Sequence, residues 1–219
     1  MAIQPITMRT KLGIGFDLEV TSELVTIQDY LDTVNSFIEK EELTRTRQKI
    51  SSCEGCPRCC SERIPLTGID VDILRKGLGD LDFADFINRY CHVLVDGPAV
   101  DIMLAAKFTG ECIFLRPEDG RCANYTYRPL VCQTFICCPT SPRADKLREL
   151  VVNLGEDELV RRWFREGLSP SGELIIHEAW DPDLNIDDWQ ANPFTGKEGY
   201  QDVLLKDLCP DKLWKSLWK

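Results

Sequence analysis

Histidine is scarce in this 219-residue chain, with only His92 and His177 present, and no serine, histidine and aspartate set suggests a hydrolase triad. His177 precedes Glu178, but no second histidine follows at helical spacing, which excludes the usual zinc-protease signature. A Gly-rich loop between a strand and a helix is also missing, and Gly13-Ile14-Gly15 is too short for a cofactor loop and reads as a turn. Apolar runs such as Val93 to Val95 and Ile113 to Leu115 fall far below the roughly 18 to 20 residues that span a bilayer. Residues 1–10 have neither an apolar signal core nor a small-residue cleavage site, so the expected address is cytoplasmic. Positive charge is in deficit, 26 Lys and Arg against 36 Asp and Glu, for a net charge of -10. Affinity for nucleic acid comes largely from cations that neutralise phosphates, so this balance argues against a nucleic-acid partner and for solubility.

What the chain does have is cysteine, eleven in all, against a 43% hydrophobic background that can bury the core of one domain, or of one domain with an appended region. In a reducing compartment an odd number of thiols with close spacing favours metal ligation over disulfides. Seven of them fall in two bursts. Cys53, Cys56, Cys59 and Cys60 form overlapping C-x2-C units, and Cys112, Cys122 and Cys132 follow. Thiolates select zinc, copper(I) or iron–sulfur clusters, and C-x2-C lets two sulfurs reach one metal from a tight turn. Three thiolates so spaced plus a distant fourth is also how ferredoxins hold a four-iron cluster. The Cys-Pro that usually completes the ferredoxin run is absent, position 63 being Arg, and so is the C-x3-C-x2-C of radical S-adenosylmethionine enzymes. Cys91, Cys137 and Cys209, taken singly, read as small buried hydrophobes. Of adjacent pairs such as Cys59-Cys60 and Cys137-Cys138, one member is expected to bind a given ion. Arg128, held extended by Pro129, can offset thiolate charge, and Tyr125 and Tyr127 read as core or lid beside the centre.

The expected fold class is helix-rich α+β, mainly α with a small β-hairpin, its cysteine-rich metal centre joining a loop after a helix to the hairpin. Residues 1–20 read as an extended lead-in or a strand around Gly13–Val20. Apolar positions from Ile27 to Leu43 recur every three or four residues and predict a helix over 26–50 that delivers the first burst on the loop after it. Thr67-Gly-Ile-Asp70 opens a helix by a capping pattern, with Gly77 and Gly79 ending it. A third helix is predicted over 81–95, with His92 on it, and a hairpin over 111–125 turning at Pro117 and Gly120. Ser141-Pro142 starts a helix that Gly155 stops, and another follows over 157–167. Residues 1–169 form the expected helical metal-binding domain, and 170–219 a loop-rich, tryptophan-rich extension packed on it. In residues 210–219 Leu213, Trp214, Leu217 and Trp218 share one helical face, suited to closing the protein's own core or to docking on a membrane surface or a partner.

The order C-x2-C-x2-C-C, Cys112-Ile-Phe-Leu115, Gly120-Arg-Cys122 and Tyr125-x-x-Arg128-Pro129-x-x-Cys132 resembles the YkgJ-type cysteine-cluster family of zinc- or iron-chelating domains, over about 50–140. That family includes the flagellin lysine N-methylases. The resemblance implies that Cys53, Cys56, Cys59, Cys60, Cys112, Cys122 and Cys132 match the family's cysteines. It departs at Gln133, where the family usually has Arg, and at Cys137-Cys138, which interrupt its Phe-Pro. Three functional readings result: a protein binding a [4Fe-4S] cluster or zinc in a structural, redox or assembly role; an S-adenosylmethionine-dependent protein lysine methyltransferase, implied by the resemblance alone; and a scaffold whose C-terminal region recognises a protein partner.

Overall fold

A computed structural model describes residues 2–45 and 56–219, and it begins with an antiparallel hairpin of β1 (Ile3–Thr10) and β2 (Gly13–Val20). In β2 Phe16, Leu18 and Val20 are buried while Asp17 and Glu19 are only partly so, the period of two of a half-buried strand. The strand expected around Gly13–Val20 is therefore present, paired to a second. Helix α1 (Ile27–Lys40) opens on a capping box between Thr26 and Asp29 and buries Ile27, Tyr30, Leu31, Val34 and Ile38. It ends well before Ile50. Past Ile38 the apolar face gives way to exposed Lys40, Glu41 and Glu42, and Thr44 exchanges hydrogen bonds with the Ile14 backbone at 2.8 and 2.9 Å, drawing the chain alongside β2. Residues 46–50 of that expected helix and its junction with the first cysteine burst lie outside the described residues, as does Cys53.

Helix α2 (Gly68–Gly77) starts at the predicted Thr67–Asp70 capping box. Helix α3 (Phe83–Tyr90) is half the length expected. From Cys91 the chain is strand β3 (Cys91–Asp96), which pairs antiparallel with β4 (Ala99–Leu104), so His92 lies on a strand. A short apolar run is ambiguous between helix and strand, and the Gly97-Pro98 turn decides it. Gly97 takes the positive φ of +55° that a two-residue hairpin turn needs first, and Pro98 suits the position after it. Residues 111–125 do reverse at 116–121, but as successive tight turns joined by a single Leu115–Cys122 bridge, without the expected ladder. After the short helix α4 (Leu130–Thr134) comes α5 (Pro142–Glu166), capped by Ser141. It is one continuous helix where two were expected, because Gly155 serves packing. A Cβ there would lie 2.5 Å from Thr67 Cγ2, so glycine lets the N-cap of α2 press onto α5.

The C-terminal fifty residues contribute β5 (Glu178–Trp180), parallel to β3 in a sheet of order β4-β3-β5, then the short helices α6 (Leu205–Leu208) and α7 (Asp211–Leu217). Trp214 and Leu217 of α7 are buried with β1, β2, α1 and the first half of α5 in one apolar cluster. Lys219 N–H donates to Val20 O, so this helix closes the protein's own core. A second cluster gathers α2, α3, β3, β4 and the later half of α5 around the fully buried Trp163. The architecture is a helix-rich α+β fold in which α5 serves both clusters. Among the described residues no helix is long and apolar enough to cross a membrane.

Candidate metal centre

Six cysteines, Cys56, Cys59, Cys60, Cys112, Cys122 and Cys132, line one pocket of about 70 Å³ set against the second cluster. Local backbone chemistry brings each there. Arg58–Ser61 is a single 3-10 turn, closed by Cys60 N–H to Pro57 O at 3.0 Å and Glu62 N–H to Cys59 O at 3.1 Å, which turns both adjacent thiols to the pocket wall. The second burst is tied to the first by Cys112 N–H donating to Cys60 O at 2.6 Å. The reversal at 116–121 carries Cys122 back beside Leu115. Cys132 sits in α4, directly after Arg128 and Pro129, and Arg128 is extended (φ -61°, ψ 140°) as a residue before proline should be.

The two other predicted site residues, Tyr125 and Arg128, also line the pocket, with the Arg128 guanidinium 4.3 Å from the Tyr125 ring centroid. Arg128 is held by Asn35 of α1, whose Oδ1 accepts from its Nη2 at 2.7 Å. Asn35 Nδ2 donates to Gln133 Oε1, and Gln133 Nε2 donates to the Arg128 carbonyl, both at 2.9 Å. Gln133, the departure from the resembled pattern, thus closes a ring that orients the arginine. Sequence reasoning missed Asn35, which no local signal could link to a residue 93 positions away. It also read Asp70 only as a cap. The buried Asp70 carboxylate accepts from Thr67 N–H at 3.0 Å, Leu130 N–H at 2.8 Å and Tyr200 Oη at 2.7 Å, so it fixes the first turn of the Cys132 helix as well as its own.

Four of these thiols, Cys60, Cys112, Cys122 and Cys132, have their pKa pushed upward. A hydrogen bond with Cys59, then burial, then the charges that Cys59, Cys112 and Cys132 would carry push Cys60 far upward. Burial raises Cys132 well above the ordinary thiol range, reinforced by Cys59, Cys112, Asp70 and Cys122. Cys112 and Cys122 are raised by burial too, but less freely. The Phe114 N–H and Lys107 oppose the shift at Cys112, and the Asn124 N–H, Arg128 and Arg116 oppose it at Cys122. Each thiolate therefore disfavours the next, and a cation is the group that releases their protons together. The donor set fits zinc or an iron–sulfur cluster on chemical grounds, with soft sulfur ligands and offsetting cations alongside. Among the described residues, no three or more His, Cys, Asp or Glu side chains are gathered closely enough to hold an ion as they stand.

Residues 52–152 match the family model described as "CxxCxxCC: Putative zinc- or iron-chelating domain". This segment, somewhat under half of the chain, is similar to that family. No curated protein and no solved structure matches the chain. The CxxCxxCC segment contains the whole described pocket but neither Asn35 nor Tyr200, so residues outside the matched stretch brace the site. The other cysteines stand apart from it. Cys91 is buried in the second cluster and Cys138 in the first, Cys209 packs against the first with its pKa pushed up to about 11 by burial, and none of these or Cys137 lines the pocket. The two histidines stand together on the β3–β5 surface, ring centroids 5.7 Å apart, with His92 Nε2 3.2 Å from Glu178 Oε2.

Proposed function

We propose that this protein holds a thiolate-bound centre, a [4Fe-4S] cluster or zinc, through ligands drawn from Cys53, Cys56, Cys59, Cys60, Cys112, Cys122 and Cys132. One observation carries the reading: six thiols from four separate stretches of chain line a single pocket. The family match supports metal binding in general. Bound there, zinc supplies a structural crosslink, whereas an iron–sulfur cluster adds one-electron redox chemistry. The chain's own residues exclude water with Ile64, Leu104 and Phe114, offset ligand charge with Arg128 and Lys107, and hold the Cys132 helix through Asp70.

Metal and acid-labile sulfide analysis of anaerobically prepared protein tests this. Near-stoichiometric metal is expected, with sulfide equal to iron if the centre is a cluster. Cys112→Ser and Cys132→Ser should lower the bound metal severely, and Cys209→Ser should leave it unchanged. Metal-free protein from both anaerobic and zinc-supplemented preparations would overturn the proposal.

A further inference from the structure

Among the described residues, only two buried side-chain nitrogen or oxygen atoms lack a hydrogen-bond partner, Asn124 Nδ2 and Arg116 Nε. Both belong to the short stretch around Cys122, and Asn124 lines the thiol pocket. A buried donor left unpaired is costly, so such atoms are rare, and one on a residue that lines a pocket points to a ligand that brings the acceptor. The surroundings say what kind. The pocket wall beside Asn124 consists of thiols, apolar side chains and the Arg128 cation, and a neutral thiol is a weak acceptor. Anionic sulfur is a stronger, charge-assisted one. The Asn124 backbone N–H already serves the Cys122 sulfur, which leaves the side-chain amide for a second acceptor. Zinc would offer only the ligand thiolates as acceptors, of which Cys122 already takes the Asn124 backbone N–H, whereas an iron–sulfur cluster adds inorganic sulfides.

We propose that the Asn124 carboxamide donates an N–H···S hydrogen bond to a sulfide of the bound cluster and thereby raises its reduction potential. This rests on the metal-centre reading and narrows it to the iron–sulfur form. The electrostatic reason is direct: reduction adds negative charge to the sulfides, so a fixed donor stabilises the reduced state more than the oxidised one. Asn124 is then a positioning and tuning residue, distinct from the ligands.

The test reconstitutes wild type, Asn124→Leu and Asn124→Gln anaerobically, measures iron and sulfide, and titrates the potential with redox dyes. Loss of the donor in Asn124→Leu, at similar volume, should shift the reduced-to-oxidised ratio at a given potential about tenfold toward oxidised, roughly 59 mV for a one-electron couple. Asn124→Gln, which keeps a carboxamide, should recover at least part of that shift. If Asn124→Leu fails to assemble a cluster, assembly in Asn124→Gln supports the donor role, and equal failure overturns it in favour of a purely steric role. Unchanged potential in a fully loaded Asn124→Leu protein overturns the inference while leaving the metal centre intact. A wild-type protein that takes up zinc but no iron and sulfide overturns the inference and the cluster reading together.

Discussion

Glu156, on the face of α5 that packs toward β4, has its pKa raised to about 7 by burial first and then by the charges of Asp101 and Asp157. A carboxyl raised above its unfolded value of 4.5 binds more protons in the native state between pH 4.5 and about 7. Stability must therefore fall as pH rises through that window. Glu156→Gln is expected to flatten this slope and to stabilise the protein by about 1–3 kcal/mol near pH 8, checked by urea midpoints on both sides of the window. Parallel pH profiles for the two proteins would refute it. The same scale shows what was legible about the site. The thiols were, because C-x2-C spacing is a chain-local property, and so were Arg128 and Tyr125 through their motif. Asn35, Asp70 and Tyr200 were not, since the partner that gives each its role lies far away in sequence.

Helix starts were legible wherever the signal is local. Thr67 and Ser141 cap the helices their patterns predict, and Thr26 caps the one that the apolar period predicts. Strand β3 was misread because Val93, Leu94 and Val95 satisfy either period, and only pairing with β4 and β5 selects one. Gly155 was misread as a stop because its purpose is a contact with another element. That contact makes a prediction. Alanine is the better helix former by about 1 kcal/mol, yet Gly155→Ala should destabilise by about 1–3 kcal/mol, as its methyl must displace Thr67 and strain the capping box above Asp70. Chemical denaturation reads this directly, and a stabilised variant would show that the two helices have room to part.

At the scale of the whole molecule, two clips hold distant chain segments together. The first is apolar: α7 packs on β2 and α5 with Trp214 and Leu217 buried. Deleting 211–219 should cost about 3–5 kcal/mol, from roughly 1.5–3 kcal/mol per buried side chain, and show as a clear fall in Tm. An unchanged Tm would revive docking elsewhere as the role of that helix. The second clip is the thiol pocket, which joins 56–60 to residues up to Cys132. A metal present at about 100 times its Kd adds about 2.7 kcal/mol to the native state, worth about 5–10 °C in a domain of this size. Chelation should lower Tm by that amount, and identical melting with and without metal would deny the pocket a stapling role.

By itself the sequence determined which thiols are candidate donors, the helix-rich class and the points where several helices begin, because these depend on residue type and on neighbours a few positions apart. Only the tertiary structure decided which thiols share a pocket, that Cys138 belongs to the core, that residues 91–104 form a strand pair, and that Gly155 joins two helices. Those outcomes depend on burial and on hydrogen bonds closed between residues tens of positions apart, which no local pattern encodes.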